Sequence, residues 1–214
     1  MFSFFRKAKP SINSITFPDF GWKKENGDNE VVKWYNPERT MGLALHFFNM
    51  VPDAPKGDID KIRAAYQKLA LVTLSGLVEV TQFVAGGITG IKTIFKLPQE
   101  PSGITYVASL TMPFSNCSYV IKITAIEPGT TGMREALIGD KLLKNGSVAL
   151  ADGQLKGWVV EPPVSGSFNM NQSELEVYDR DFPSHHLSII RKLISDIEKG
   201  IVFLPEISTL KPFY

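Results

Sequence analysis

Alternating apolar and polar positions fill the middle of the chain. Four runs follow one another between Leu77 and Glu127: LVEVTQFVA, ITGIKTIFKLP, GITYVASLTMP and CSYVIKITAIE. Gly86-Gly87, the segment from Pro98 to Gly103, and Phe114-Ser115-Asn116 separate them. Period-two runs rich in Val, Ile, Thr, Tyr and Phe, punctuated by Gly, Pro and Asn, predict an antiparallel meander. In the second run Ile91, Phe95 and Leu97 share a face, with Lys92 and Lys96 opposite. In the fourth, Tyr119, Ile121, Ile123 and Ala125 oppose Lys122 and Thr124. One face is therefore expected to be packed and the other partly solvated. The third run, apolar on both faces (Ile104, Tyr106 and Leu110 against Val107 and Thr111), belongs near the sheet centre under the second helix.

Upstream, Ser11–Phe17 reads as a short strand. VVKWY (31–35) and MGLALHFFNM (41–50) form a hairpin across Asn36-Pro37-Glu38-Arg39. Helical spacing begins after Asp58, a suitable cap. Ile59, Ile62, Tyr66, Leu69, Ala70 and Thr73 lie on one stripe, and the helix is expected to end near Gly76. A second helix follows Pro128–Gly132, with Met133, Ala136, Leu137 and Leu143 as its buried stripe and Glu135 in its first turn. Regular structure thins from Asn145 to Asn171, apart from a short strand at GWVV (157–160). Asp152-Gly153, Pro162-Pro163 and Ser165-Gly166-Ser167 mark loops. A third helix, capped by Ser184 and ended by Gly200, buries Leu187, Ile190, Leu193, Ile194 and Ile197. The apolar tail, Ile201 to Tyr214, is expected to pack back on the fold or on a partner. The whole reads as one α+β domain over residues 1–214. Its core covers about 11–143, with an extended C-terminal loop, helix and tail beyond.

Composition narrows the function. The 214 residues are 43% hydrophobic and 21% charged, and 23 basic against 22 acidic residues leave a net charge of +1. That balance argues against nucleic-acid binding driven by phosphate neutralisation. With Cys117 as the only cysteine, an intrachain disulfide and a thiolate metal cluster are excluded. The opening MFSFFRKAKP is apolar and then basic, opposite to a secretory signal. No apolar run is long enough for a membrane helix, so a cytoplasmic protein is expected. Met1–Phe5 could form a small membrane-touching or partner-touching patch, but it is too short to anchor alone.

Candidate chemistry is sparse. His185-His186 point about 100° apart on a helix and fit a capping or surface role better than a metal site, even with Asp179 and Asp181 nearby. His46 sits within a strand, Cys117 lacks a base, and Gly86-Gly87-x-x-Gly90 is a hairpin turn rather than a phosphate loop. Arg134-Glu135 reads as local capping at a helix start. No catalytic residue, metal ligand or cofactor site is therefore expected. Trp22 and Trp158, in loop-rich segments beside charged residues, are the aromatic candidates for partner contact.

Two strands, a helix, a four-strand meander and a helix, spanning Ser11 to Leu143, form an order that resembles the PsbP-like fold. That fold is an antiparallel sheet sandwiched by helices, shared by a photosystem extrinsic protein, a nuclear Ran-binding factor and many bacterial proteins. The stretch Tyr178-Asp179-Arg180-Asp181-Phe182-Pro183-Ser184-His185-His186-Leu187-Ser188 is similar to a C-terminal segment of uncharacterised bacterial proteins. The resemblance implies a binding or adaptor role. The expectation is a non-enzymatic bacterial protein-binding module, most concretely an accessory, chaperone or immunity partner of a secreted toxin or effector. Its contact residues are expected among Trp22, Trp158, Tyr178, Asp179, Asp181 and His185. The alternative is a small-molecule-binding protein or enzyme with a pocket between the sheet and the C-terminal tail, using His46, Asp181 and His185.

Overall fold

A computed structural model of the chain describes residues 9–25, 27–160 and 168–213. A 3-10 turn (Ile12–Ser14) leads into β1 (Ile15–Thr16), β2 (Lys23–Lys24), β3 (Val31–Tyr35), β4 (Met41–Phe48) and helix α1 (Ile59–Val72). The meander follows as β5 (Gly76–Ala85), β6 (Ile88–Pro98), β7 (Ile104–Pro113) and β8 (Ser118–Ile126). After it come α2 (Met133–Lys144), β9 (Ala149–Ala151), β10 (Gln154–Lys156) and 3-10 turns at Gln172–Glu174 and Glu176–Tyr178. Helix α3 (His186–Gly200), β11 (Val202–Phe203) and a 3-10 turn (Pro205–Thr209) close the chain.

Seven strands make one antiparallel sheet in the order β2-β3-β4-β8-β7-β6-β5. The meander supplies four of them, and β8 then pairs with β4, setting Ile123 opposite both Leu43 and Ala108. Alternation sends Leu43, Leu45, Ile94, Tyr106, Ala108, Leu110, Tyr119, Ile121 and Ile123 to one face, which α3 covers with Leu187, Ile190, Ile194 and Ile197. On the other face α1 buries Ile62 against Val80 and Ile91, with Ile59, Tyr66 and Leu77 around them. Asp58 caps α1 by accepting from the Lys61 N–H at 3.0 Å. Of the two alternatives for the tail, packing on the fold is seen: β11 pairs with β1, and Ile207 is buried.

Several expectations need correction. Ser11–Phe17 is a capped 3-10 turn and a two-residue strand, because Ser11 and Ser14 close a reciprocal capping box. Helix α1 ends at Val72, and Gly76 instead opens β5. There a side chain would overlap the Phe168 carbonyl oxygen that crosses it. Leu69 and Thr73 face solvent. The Lys92/Lys96 face of β6 is the inner face, and Lys96 is fully buried. The helix above β7 is α3 rather than α2. Helix α2 buries Arg134, Ile138, Gly139 and Leu142, while Met133, Ala136, Leu137 and Leu143 face outward. Residues 149–156 form a hairpin around the Asp152-Gly153 turn, and of GWVV only Val159 makes a bridge, to Asn171. Helix α3 is capped by His185, not Ser184. The loop assignments at Pro162-Pro163 and 165–167, the Met1–Phe5 patch and Tyr214 lie outside the described residues.

Candidate functional site

Helix α2 begins at Gly132, whose positive φ of 78° turns the chain in from β8 without a side-chain cap. Glu135 lies in its first turn, and Lys141 and Lys144 lie in its last, each where the macrodipole favours its charge. The inner side carries Ile138 and Leu142 against Val148, with Trp158, Tyr178 and Phe182 around them. This small apolar cluster is separate from the one under α3.

Arg134 fixes how the helix is turned. Its side chain is fully buried, and every guanidinium nitrogen donates. Nε reaches the Ser173 carbonyl at 2.6 Å, Nη1 the Ser188 hydroxyl at 2.8 Å, and Nη2 the Leu175 carbonyl at 3.1 Å and Asp179 Oδ1 at 2.9 Å. Asp179 also accepts from Arg191 Nη1 at 3.0 Å, and Arg191 continues to the Glu174 carbonyl at 2.7 Å and Glu79 at 3.3 Å. Lys92 lies 3.6 Å from Glu79 and 3.4 Å from Glu198. Beneath this network Lys96 and Glu174 form a fully buried pair at 2.7 Å. The Lys96 ammonium also sits 4.2 Å from the Phe168 ring centre.

Some buried polar atoms keep free valences. Both Glu135 carboxylate oxygens, Glu174 Oε1 and the Tyr106 hydroxyl have no hydrogen-bond partner among the described residues. Burial raises the Glu174 carboxyl above its ordinary range, against the pull of Lys96. Burial likewise pushes the Tyr106 hydroxyl far up, with Glu174, Glu135 and Glu127 adding to the shift. The cleft lined by Glu127, Arg134, His185 and His186 is about 240 Å³, below the roughly 300–1,000 Å³ typical of ligand pockets. His185 caps α3 by accepting from the Leu187 N–H through Nδ1, and its Nε2 lies 2.8 Å from Glu127 Oε1. Cys117 is buried, and burial raises its thiol pKa.

The outward side of α2 is different. Met133, Leu137 and Leu143 are 55%, 52% and 42% exposed. They span about a third of the helix circumference, at about 100° per residue. In the following hairpin Leu150 and Leu155 stand directly opposite each other and are 70% and 38% exposed. Charged pairs edge this surface: Asp140 with Lys144 at 2.6 Å, and Lys141 with Asp181 at 3.8 Å.

Four of the six residues singled out from the sequence gather on the inner side and edge of this unit. Trp158 and Tyr178 belong to the apolar cluster, Asp179 lies between Arg134 and Arg191, and Asp181 is exposed beside Lys141. His185 is at the start of α3, next to the same cleft. Trp22 lies apart, half-buried on the main core with its ring 5.8 Å from that of Phe20. The outward stripe itself was misread as a buried face. The competing signal was Arg134, Ile138 and Leu142, equally spaced at i, i+4 and i+8.

A groove does stand between the sheet and the tail. It holds about 730 Å³ between the β5–β6 turn, Phe114 and residues 201–213, and its described lining is almost wholly apolar. His46, Asp181 and His185 are not in its lining. His46 lies on the opposite sheet face from α3, beside Lys33 and Lys122, and burial with those two charges lowers its pKa.

No family model and no curated protein matches the chain. Solved structures similar to it include a protein of Bacteroides thetaiotaomicron, at 12% identity and a TM-score of 0.35, with 54% of this chain covered. The match spans only 39% of that protein. The Ran-binding protein Mog1p of Saccharomyces cerevisiae is 11% identical, with a TM-score of 0.40 over 60% of this chain and 78% of its own. Cyanobacterial PsbP from Synechocystis sp. PCC 6803 is 10% identical, with a TM-score of 0.39 over 65% and 88%. The last two have the PsbP-like fold that the order of elements resembles. The likeness is one of overall fold and brings no residue role or partner to this chain.

Proposed function

We propose that this protein is a non-enzymatic protein-binding module whose partner docks on the outward face of α2, beside the Leu150–Leu155 pair. The observation that carries this reading is the stripe of Met133, Leu137 and Leu143 held facing solvent by a fully buried arginine. A helix free to roll would bury that stripe. Arg134 fixes this one so that it cannot. An apolar centre edged by paired charges is the composition of a protein interface. Its dimensions suit a partner helix laid along α2 with its own apolar side inward. The finer version, an accessory, chaperone or immunity partner of a secreted toxin or effector, is motivated by the near-neutral charge, the sparse candidate chemistry and the apolar tail, and is decided by identifying what binds.

The test is purification from the native host of tagged wild type and of Leu137→Asp. Wild type should bring down a stoichiometric protein, and Leu137→Asp should weaken that association by about tenfold or more, as for an interface anchor. A wild-type chain that always elutes alone, or equal recovery with both, sinks the reading.

A further inference from the structure

Helix α1 covers the sheet face opposite α3 at its β5–β6 end. At the β3–β4–β8 end the same face carries a basic concavity of about 370 Å³, within the roughly 300–1,000 Å³ of ligand pockets. We infer that this concavity binds a small molecule through a phosphate group held between Lys33 and Lys122.

Strand register brings the two lysines together. Lys33 of β3 stands opposite Ala44 of β4, and Ala44 stands opposite Lys122 of β8. All three point to one face, and the lysine backbones are two strand spacings apart, about 9.6 Å. Each flexible four-carbon stem is long enough to bring its ammonium over the alanine between them. His46, two residues along β4 from Ala44, points to the same side. Neither lysine has an ion pair or a hydrogen bond among the described residues, and no acidic residue appears in the described lining. Asp28 feels the charge of Lys33, but its carboxylate already accepts from the Glu30 and Val31 N–H groups, at 2.7 and 2.8 Å. Burial lowers the His46 pKa, and Lys122 and Lys33 lower it further, so both positive charges are felt at one point. The third cation of the lining, Arg39, is already engaged. It meets Glu25 at 3.0 Å and lies 4.5 Å from the Tyr35 ring centre.

Like charges set close together on a sheet face are unfavourable. Two unpaired lysines across one small residue are therefore an arrangement that a shared anion relieves. A phosphate monoester carries about −1.5 to −2 charge at pH 7, which matches two ammonium groups. The neutral His46 imidazole and the Thr124 hydroxyl, both in the lining, add uncharged donors. Gly42 leaves room for the rest of the molecule, since a Cβ there would stand 3.2 Å from the Tyr35 ring. One phosphate needs only this local pair, so a net charge of +1 for the chain is no obstacle. The site shares no residue with the outward face of α2, and either can fail without the other.

NMR of the His46 imidazole in the full chain, its signal identified with His46→Gln, reads the site directly. Sodium phosphate added at constant ionic strength should move that signal saturably. It should also raise the His46 pKa towards its ordinary 6.5, because the bound anion offsets two cations. Glycerol phosphate should bind several-fold more tightly than inorganic phosphate, through contacts of its body along Gly42. Lys33→Gln combined with Lys122→Gln should weaken both affinities tenfold or more, with an unchanged circular dichroism spectrum. An equal response to sodium chloride, or unaltered affinity in the double variant, overturns the inference. So does a response to phosphatidic acid vesicles without one to glycerol phosphate, which would make the face a lipid contact.

Discussion

Helix α3 turns Leu187, Ile190, Ile194 and Ile197 onto the sheet, whereas α2 turns Met133, Leu137 and Leu143 to solvent. Both helices carry an apolar stripe along one side, so helical periodicity alone does not say which stripe is buried. The difference lies in what the other side of each helix offers. Opposite its stripe α3 has charged groups such as Lys192 and Lys199, with no competing apolar series. Helix α2 has a second series, Arg134, Ile138 and Leu142, and one orientation must win. Burying the outer stripe would gain about 1.5–3 kcal/mol for each large side chain. Rolling the helix to do so would expose Ile138 and Leu142 and strip Arg134 of its partners, and breaking such a buried charge set costs about 3–5 kcal/mol. The arginine side wins, and the apolar stripe is left over.

Aspartate placed at matching points of the two helices should break this symmetry most sharply. Ile190→Asp puts a carboxylate with no partner into the main core and should cost more than about 4 kcal/mol, enough to unfold a marginal domain. Urea denaturation followed by circular dichroism would read it. A small change there would mean that α3 is not seated on the sheet as described.

The next effect belongs to the device that orients α2. Arg134→Leu removes donors from two buried carbonyls, the Ser188 hydroxyl and Asp179, although Asp179 keeps Arg191. A loss of about 3 kcal/mol in the same denaturation experiment is expected. Partner recovery should fall with it, because the stripe is then no longer held outward. Stability lost without any loss of partner would separate the arginine from the interface.

A subtler contrast lies beneath the network, at Lys96 and Glu174. Burial raises the folded-state pKa of Glu174 above its ordinary 4.5. Its favourable contribution is therefore fully present below about pH 4.5 and is lost as pH rises through the folded value. Glu174→Gln mimics the protonated acid and removes that slope. The stability of wild type minus that of Glu174→Gln should accordingly fall as pH rises from 4.5, as measured by denaturation across pH. A difference that grows with pH would show that the ion pair with Lys96 outweighs burial.

Much of the architecture was legible because strands announce themselves by period two. The meander and the β3–β4 hairpin needed nothing beyond local alternation, and the α3 stripe nothing beyond the spacing of three and four. The site was far less legible. Lys96 reads as solvated and Arg134 as a local cap at a helix start, because lysine and arginine are mostly exposed. Their partners, Glu174, Asp179 and Ser173, lie 39 to 78 residues away along the chain. A charge whose partner is that distant looks unpaired in any local window. The same blindness made the wrong side of α2 look like its buried face. Trp158 and Tyr178 drew attention as aromatics and do border the site, but from its inner side.

The smallest expected effect is the most informative about α2. Leu137→Ser removes an exposed apolar side chain from a position 52% open to solvent, so the folded state loses little burial. Serine lowers helix propensity by a few tenths of a kcal/mol relative to leucine, and surface changes of this kind stay within about 0.5 kcal/mol. The midpoint of denaturation should barely move, while partner recovery should drop clearly. A stability loss near the 2–5 kcal/mol of a core leucine truncation would mean that the stripe is covered within the chain itself. The outward face of α2 would then be part of the core, and the contrast with α3 would vanish.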